Sequence, residues 1–329
     1  VSDNFPILKR FIHAVSSIGL EDMESANDVA VLGNRLYSWI RLTQGKKDFD
    51  YVPKLIDEST VGFCRDLMRL KIGFSVRENK NFETLRNYKL LFVPTTEVMA
   101  EKDQTALVEL AKNGTSIILC GVMPKYDENF KGCQILANCF RIKSSVENRI
   151  GTVTHKHGEY PTQVYAVIRA AEDAKTRKLV KSGPKVVGVC SSRFKGNLYY
   201  FSFNIASGGN HHKLAYIESI LAEEKIVSNL YCSDPAVDMA FHLGNKKGLL
   251  FVIAPPPGEL SDGFEAPAKE IIIKADLKAL GFKAAKIKLT DIFGAEEAEP
   301  LKTSGRELRE GIALKMNFPD GAMFLVEKR

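Results

Sequence analysis

Few side chains in this 329-residue chain are placed to do chemistry. Cys120 closes the apolar run "TSIILC" and is followed at once by Gly121. A nucleophilic cysteine in an α/β protein stands at such a strand end, on a tight turn that needs small residues two positions before and two after. Those positions hold Ile118 and Val122, and a β-branched side chain fits a strained turn badly, so a buried, unreactive thiol is expected. The candidate bases are His211 and His212 in "SGGNHHKLAYIE" (207–218). Gly208 and Gly209 make a flexible turn, and Asn210 can cap a helix that starts at His211 or His212. In α/β folds, sites form at such places near the carboxyl edge of the sheet. Adjacent histidines point in different directions, so helix-cap surface residues are the plainer reading. His155 and His157 in "THKHGEY", with Glu159, could ligate a metal, although a solvent-facing polar loop is expected there. His13 and His242 stand among apolar residues and are read as structural.

Other chemistry finds no support. The six cysteines, at 64, 120, 133, 139, 190 and 232, form no CxxC pair and meet no paired-histidine spacing, so a zinc site is not expected. Several lie inside apolar runs, as reduced core cysteines do. Neither a GxGxxG after a strand nor a GxxxxGK[ST] occurs, and no cofactor is implied. The net charge of +6 is dispersed among interleaved Lys and Glu. "KTRKLVKSGPK" (175–185) is the nearest approach to a basic patch, lacks interleaved aromatics, and reads as a solvated loop rather than a nucleic-acid surface. No apolar run reaches the length of a membrane helix, and the opening residues carry no signal-peptide pattern, so a cytoplasmic protein is expected. A chain that begins at Val1 rather than Met suggests a piece of something longer.

The elements that must position these residues follow from periodicity. Residues 1–27 read as a helix and a polar connector. "DVAVLGN" (28–34), "FSVRE", "YKLLFVPTT" (88–96) and "TSIILCG" read as strands. They alternate with helical spacing in "STVGFCRDLMRLKIG" (59–73), with Ser59 or Thr60 as a cap, and in "EKDQTALVELAKNG" (101–114), ended by Gly114. This rhythm predicts an α/β domain over 28–225, with a mostly parallel sheet and helices on both faces. Two strands with a turn at Lys195-Gly196 and a helix over 212–226 complete it. Beyond residue 226 the pattern becomes short alternating strands with turn signals, beginning with a hairpin around "GNKKG", which predicts a small antiparallel β-sandwich over 226–329. "PPPGELSDGFEAP" (255–267) is an expected exposed loop of it.

Three segments carry a resemblance: "ANDVAVLGNRLYSW" (26–39), "LRNYKLLFVPTTEVMAEKDQTALVELAKNGTSIILCGVMPKYDE" (85–128) and "FKGNLYYFSFNIA" (194–206). They resemble the class I glutamine amidotransferase-like, flavodoxin-type domain that follows the catalytic barrel in β-galactosidases of glycoside hydrolase families 42 and 35. The all-β tail, with "LTDIFGAEE" (289–296), resembles the small sandwich that closes those enzymes. Active amidotransferases carry G-x-C-x-G and, later, His-Pro-Glu. Aligned with these motifs, Val122 falls at the nucleophile, and Asn204 and Ala206 fall where histidine and glutamate would be. The resemblance therefore implies a catalytically empty domain that serves assembly, as a trimer in the family, and helps to wall the sugar pocket. The partner it implies is a barrel in the same or a companion chain, since a barrel of about 250 residues and its carboxylate pair have no room here. Tyr37, Trp39 and Tyr51 are the candidates for an interface or a sugar platform. Two other functions stay open at this point: a free-standing hydrolase using Cys120 with His211 or His212, and a carbohydrate-binding or scaffold protein.

Overall fold

The computed structural model of the protein describes residues 9, 12–13, 15–16, 18–20, 23–25, 27–33, 52–78, 82–206, 208–254, 266–292, 300–318 and 320–329. Two compact units emerge: residues 28–66 with 74–226, and residues 1–27 with 67–73 and 227–329. The N-terminal stretch thus groups with the C-terminal strands. Its two-residue strand β1 (Glu24–Ser25), in what reads as a polar connector, pairs with a strand of the second unit.

The larger unit runs through β2 (Val29–Gly33), α1 (Val52–Arg69), β3 (Phe74–Glu78), β4 (Leu90–Thr95), α2 (Glu101–Asn113), β5 (Ser116–Gly121) and the short α3 (Ile135–Phe140). It continues with β6 (Ile142–His155), β7 (Gly158–Ala170), β8 (Thr176–Ser182), β9 (Lys185–Ser191), β10 (Leu198–Phe201) and α4 (His211–Glu223). The strands form one sheet in the order β3-β2-β4-β5-β10-β9-β8-β6-β7. From β3 to β10 all pairings are parallel, and from β10 to β7 all are antiparallel. The sheet is therefore mixed, not mostly parallel as the strand–helix rhythm suggests. The antiparallel half comes from residues 142–191: β9 is one of the two strands expected around the Lys195-Gly196 turn, whereas β6, β7 and β8, with many exposed or half-exposed positions, offer no apolar run to find. The basic stretch 175–185, expected as a loop, lies in the β8–β9 hairpin.

Local chemistry explains the elements. β4 and β5 are buried at every position, the mark of strands covered on both faces. Pro94 is tolerated inside β4 because the β2 pairing stops at Phe92, so no partner on that side needs its missing N–H. α2 ends where Gly114 turns left-handed at φ 113°, with its N–H bonded to the Leu110 and Ala111 carbonyls. α1 begins seven residues before Ser59, which is therefore no cap but a buried mid-helix residue. At the amino ends of the central strands, Glu224 accepts hydrogen bonds from Ser116 Oγ (2.6 Å), Asn197 Nδ2 (2.8 Å) and Tyr199 OH (2.6 Å), tying the end of α4 to β5 and β10.

The second unit holds β11 (Leu230–Cys232), β12 (Asp238–Leu243), β13 (Lys247–Ala254), β14 (Ala266–Ala275), β15 (Lys286–Asp291), β16 (Leu301–Ser304), α5 (Gly305–Glu310), β17 (Ile312–Phe318) and β18 (Asp320–Lys328). A six-stranded sheet β1-β12-β13-β18-β15-β16 and a three-stranded sheet β11-β14-β17 share a core that includes Leu250, Val252, Ile271, Ile273 and Phe324. All the pairings in both sheets are antiparallel, as expected from the alternation. Helix α5 is opened by a capping box between Ser304 and Glu307.

Gly196, in the β9–β10 turn, allows the closest backbone approach. A Cβ there would lie 2.2 Å from the Thr115 carbonyl oxygen, and its N–H bonds Ala111 O at 2.8 Å. Gly196→Ala is expected to cost about 2 kcal/mol or more, because only backbone could yield. Gly132→Ala, where a Cβ meets nothing within 4 Å, should change stability by less than about 1 kcal/mol. Urea unfolding of both variants checks the pair, and equal effects would contradict the packing described.

Candidate functional site

The carboxyl ends of parallel strands are where this kind of sheet offers a site. Cys120 stands there on β5, opposite Phe201 of β10 on one side and Pro94 of β4 on the other. It is fully buried. Its thiol donates to the Phe203 carbonyl oxygen at 3.1 Å and lies 3.8 Å from Ser59 Oγ of α1. Burial pushes the thiol pKa up, against weaker opposing pulls from the backbone at Ile205 and the Ser59 hydroxyl. Since the thiolate is the reactive form, this environment makes Cys120 inert at neutral pH.

The neighbouring positions are filled in the same way. Val122 is buried against Tyr165 and donates its N–H to Thr95 O at 3.2 Å. Asn204 Oδ1 accepts the N–H of Ala206 at 3.0 Å, closing a local turn. Ala206 is buried against α1 so tightly that a Cβ added at Gly62 would lie 2.8 Å from the Ala206 Cβ. The ionisable group brought to this spot is Lys213, from the first turn of α4. Its Nζ donates to the carbonyl oxygens of Asn204 (2.9 Å) and Ala206 (3.4 Å) and lies 5.0 Å from the centre of the Tyr160 ring. Burial lowers the Lys213 pKa, while Cys120 and the Asp66 carboxylate oppose that shift. Nothing in the spacing of "NHHKLAY" marks Lys213, because its two partners are backbone carbonyls nine and seven residues upstream, which side-chain types do not reveal.

The histidines go elsewhere. Asn210 caps α4 as expected, its side chain accepting from the N–H groups of His212 and Lys213. His212 Nδ1 donates to the carbonyl of His157 at 2.7 Å, and His211 lies against the His212 ring. No described hydrogen bond or ring contact joins either of them to Cys120. His155 is buried at the end of β6 and stacks on Tyr216 of α4, ring centres 4.4 Å apart. The loop expected to face solvent is thus a hairpin tip folded onto a helix. Glu159 is exposed on β7, and among the described residues no group of three His, Cys, Asp or Glu is arranged to hold a metal. His13 is exposed rather than structural, whereas His242 is part-buried, edge-on to Phe251, and its pKa is lowered by burial. Tyr37, Trp39, Tyr51 and the turn-rich loop at 255–265 lie outside the described residues. No helix among the described residues is long and apolar enough to cross a membrane.

Residues 43–175 match the family described as "GLMA-like, second domain". A β-1,2-glucosyltransferase of Ignavibacterium album is 24% identical over 206 residues, 61% of this chain and 29% of that protein. The β-galactosidase from Bacillus circulans sp. alkalophilus is similar in structure at a TM-score of 0.67 and 15% identity, over 98% of this chain and 44% of that one. Gan42B, a GH42 β-galactosidase from G. stearothermophilus, gives 0.64 at 14% identity, over 92% of this chain and 40% of that one. The chain thus has the fold of the C-terminal part of GH42-type β-galactosidases, as its sequence patterns imply. It spans less than half the length of each of these relatives.

The buried Cys120 thiol should resist alkylation by iodoacetamide at pH 8 for as long as the protein stays folded, and react at once in urea. Mass spectrometry of the peptide containing Cys120 reads this out. Rapid modification of the native chain at that residue would contradict the burial and pKa described.

Proposed function

We propose that this chain is the non-catalytic C-terminal region of a glycoside-active enzyme of the β-galactosidase type, serving oligomer assembly and the shaping of the sugar site. In this reading the larger unit is an amidotransferase-like, flavodoxin-type domain emptied of its triad. The catalytic carboxylates stand on a barrel outside these residues. The observation that carries the reading is the extent of the fold match: 98% of this chain pairs with 44% of a β-galactosidase. The filled strand-end position supports it, because Val122, Asn204 and Ala206 are committed to packing and local hydrogen bonds. Cys120, Cys133, Cys190 and Cys232, free and buried, fit a cytoplasmic setting.

A transferase in place of a hydrolase is favoured by one observation, the 24% identity to a β-1,2-glucosyltransferase. Both readings keep this chain as an accessory region and differ in what the upstream chemistry does with the glycosyl group.

With Tyr37 and Tyr51, Trp39 is a candidate for the interface or sugar platform. Truncating an aromatic hot spot typically costs about 2 kcal/mol, so Trp39→Ala should weaken self-association or sugar affinity by roughly 30-fold. Sedimentation velocity and sugar titration of the folded variant test this. Unchanged sedimentation together with unchanged sugar binding would overturn the assignment.

A further inference from the structure

The β6–β7 hairpin turns at Lys156 and His157, and its tip lies on the first turns of α4. Ring packing and a hydrogen bond hold it there. The His155 ring stacks flat on Tyr216, 4.4 Å between centres and 18° between planes, and His212 Nδ1 donates to His157 O at 2.7 Å. The fit is close. Gly158, at φ +140°, has room for no Cβ, since one would lie 2.5 Å from His212 Nδ1.

The protonation state of His155 is built into this arrangement. Its Nδ1 accepts the backbone N–H of His157 at 3.0 Å, which requires an unprotonated Nδ1 and places the ring proton on Nε2. Nε2 is buried with no hydrogen-bond partner, as is the hydroxyl of Tyr160, whose ring centre lies 5.4 Å from that of His155. A second proton would have to go onto Nδ1, directly against the His157 N–H. The titratable and charged groups facing the ring are His157, Lys156 and Tyr160 of the hairpin and His212 and Tyr216 of α4, with Lys213 over the far Tyr160 ring. Among the described residues no carboxylate is bonded to His155. The π face of Tyr216 attracts a cation, but burial and the surrounding positive charges oppose one.

We propose that His155 is a pH-sensitive latch that holds the hairpin tip on α4 while its ring is neutral and releases it on protonation. Burial, then His157, His212 and Lys156, lower its pKa from 6.5 to about 4. A folded pKa below the released one means that the latch is fully held above pH 6.5. The contribution is lost as pH falls toward 4, because the released ring takes up the proton first.

Hydrogen exchange read by mass spectrometry, corrected for intrinsic rates, tests this on the whole chain at pH 7 and pH 4.5. Linkage between the two pKa values predicts that opening over residues 156–160 rises on the order of fifty-fold at the lower pH. In His155→Phe, which keeps the stack and cannot be protonated, the rise should fall below about three-fold. A wild-type rise below about three-fold, or an equal rise in the variant, would overturn the latch. Should His155→Phe fail to fold, the ring titration of His155 in the wild-type protein decides by NMR. A midpoint near 4 that coincides with exposure of the tip supports the latch, and a midpoint near 6.5 overturns it.

Discussion

The fold of the larger unit depends on how the segment after β10 is tied down at the carboxyl ends of the parallel strands. A buried carbonyl group without a partner is costly, and in the chain leaving β10 the carbonyls of Phe203, Asn204 and Ala206 are satisfied by side chains. Cys120 supplies the donor for Phe203, and Lys213 supplies it for Asn204 and Ala206. Helix α1 can then close over the strand ends, with Gly62 against Ala206 and Ser59 beside the thiol. Cys120, Lys213 and His212 are each engaged as hydrogen-bond donors to backbone carbonyls. A catalytic centre needs the reverse: polar groups left free to meet a substrate, and a void in which to meet it.

The amino ends of the central strands are secured by different means. Glu224 gathers three donors from β5, β10 and the turn before β10. Bonds to a charged acceptor are worth about 1.5–3 kcal/mol each when they are well formed. The antiparallel half also folds back upon the parallel half. Val164 of β7 bridges Phe203, Tyr165 N–H donates to Ser202 O at 2.7 Å, and Ser202 Oγ donates to Ala166 O at 2.6 Å. The β6–β7 hairpin is thus pinned along its length, and its tip reaches α4. The parallel strands, the curled hairpins and α4 meet at one place, around Phe203.

What the sequence makes legible follows from this division. Strands covered on both faces, such as β4 and β5, announce themselves as unbroken apolar runs, and Gly114 and Asn210 mark helix ends by their own conformational chemistry. β6 escapes notice because most of its side chains are exposed or half-exposed, so it reads as polar loop. Helix α5 was within reach through Ser304 and Glu307 but is only six residues long. At the candidate site, the unreactive character of Cys120 could be read from Ile118 and Val122, since neither allows an elbow. The role of Lys213 could not, since its partners are backbone carbonyls a few residues upstream, which side-chain patterning does not reveal. The burial of His155 could not either, since a polar-looking tip becomes core only when Tyr216 arrives beneath it.

The central proposal places the glycoside chemistry in sequence that accompanies residues 1–329. Isolating the polypeptide from its native source and measuring its intact mass, its N-terminal residue and its turnover of an aryl β-galactoside tests that directly. The account predicts a polypeptide roughly twice the 36.6 kDa of this chain, with room for a barrel ahead of Val1 and with turnover that residues 1–329 alone lack. A native polypeptide that starts at or just before Val1, or turnover by residues 1–329 that is abolished in Cys120→Ser, would contradict it.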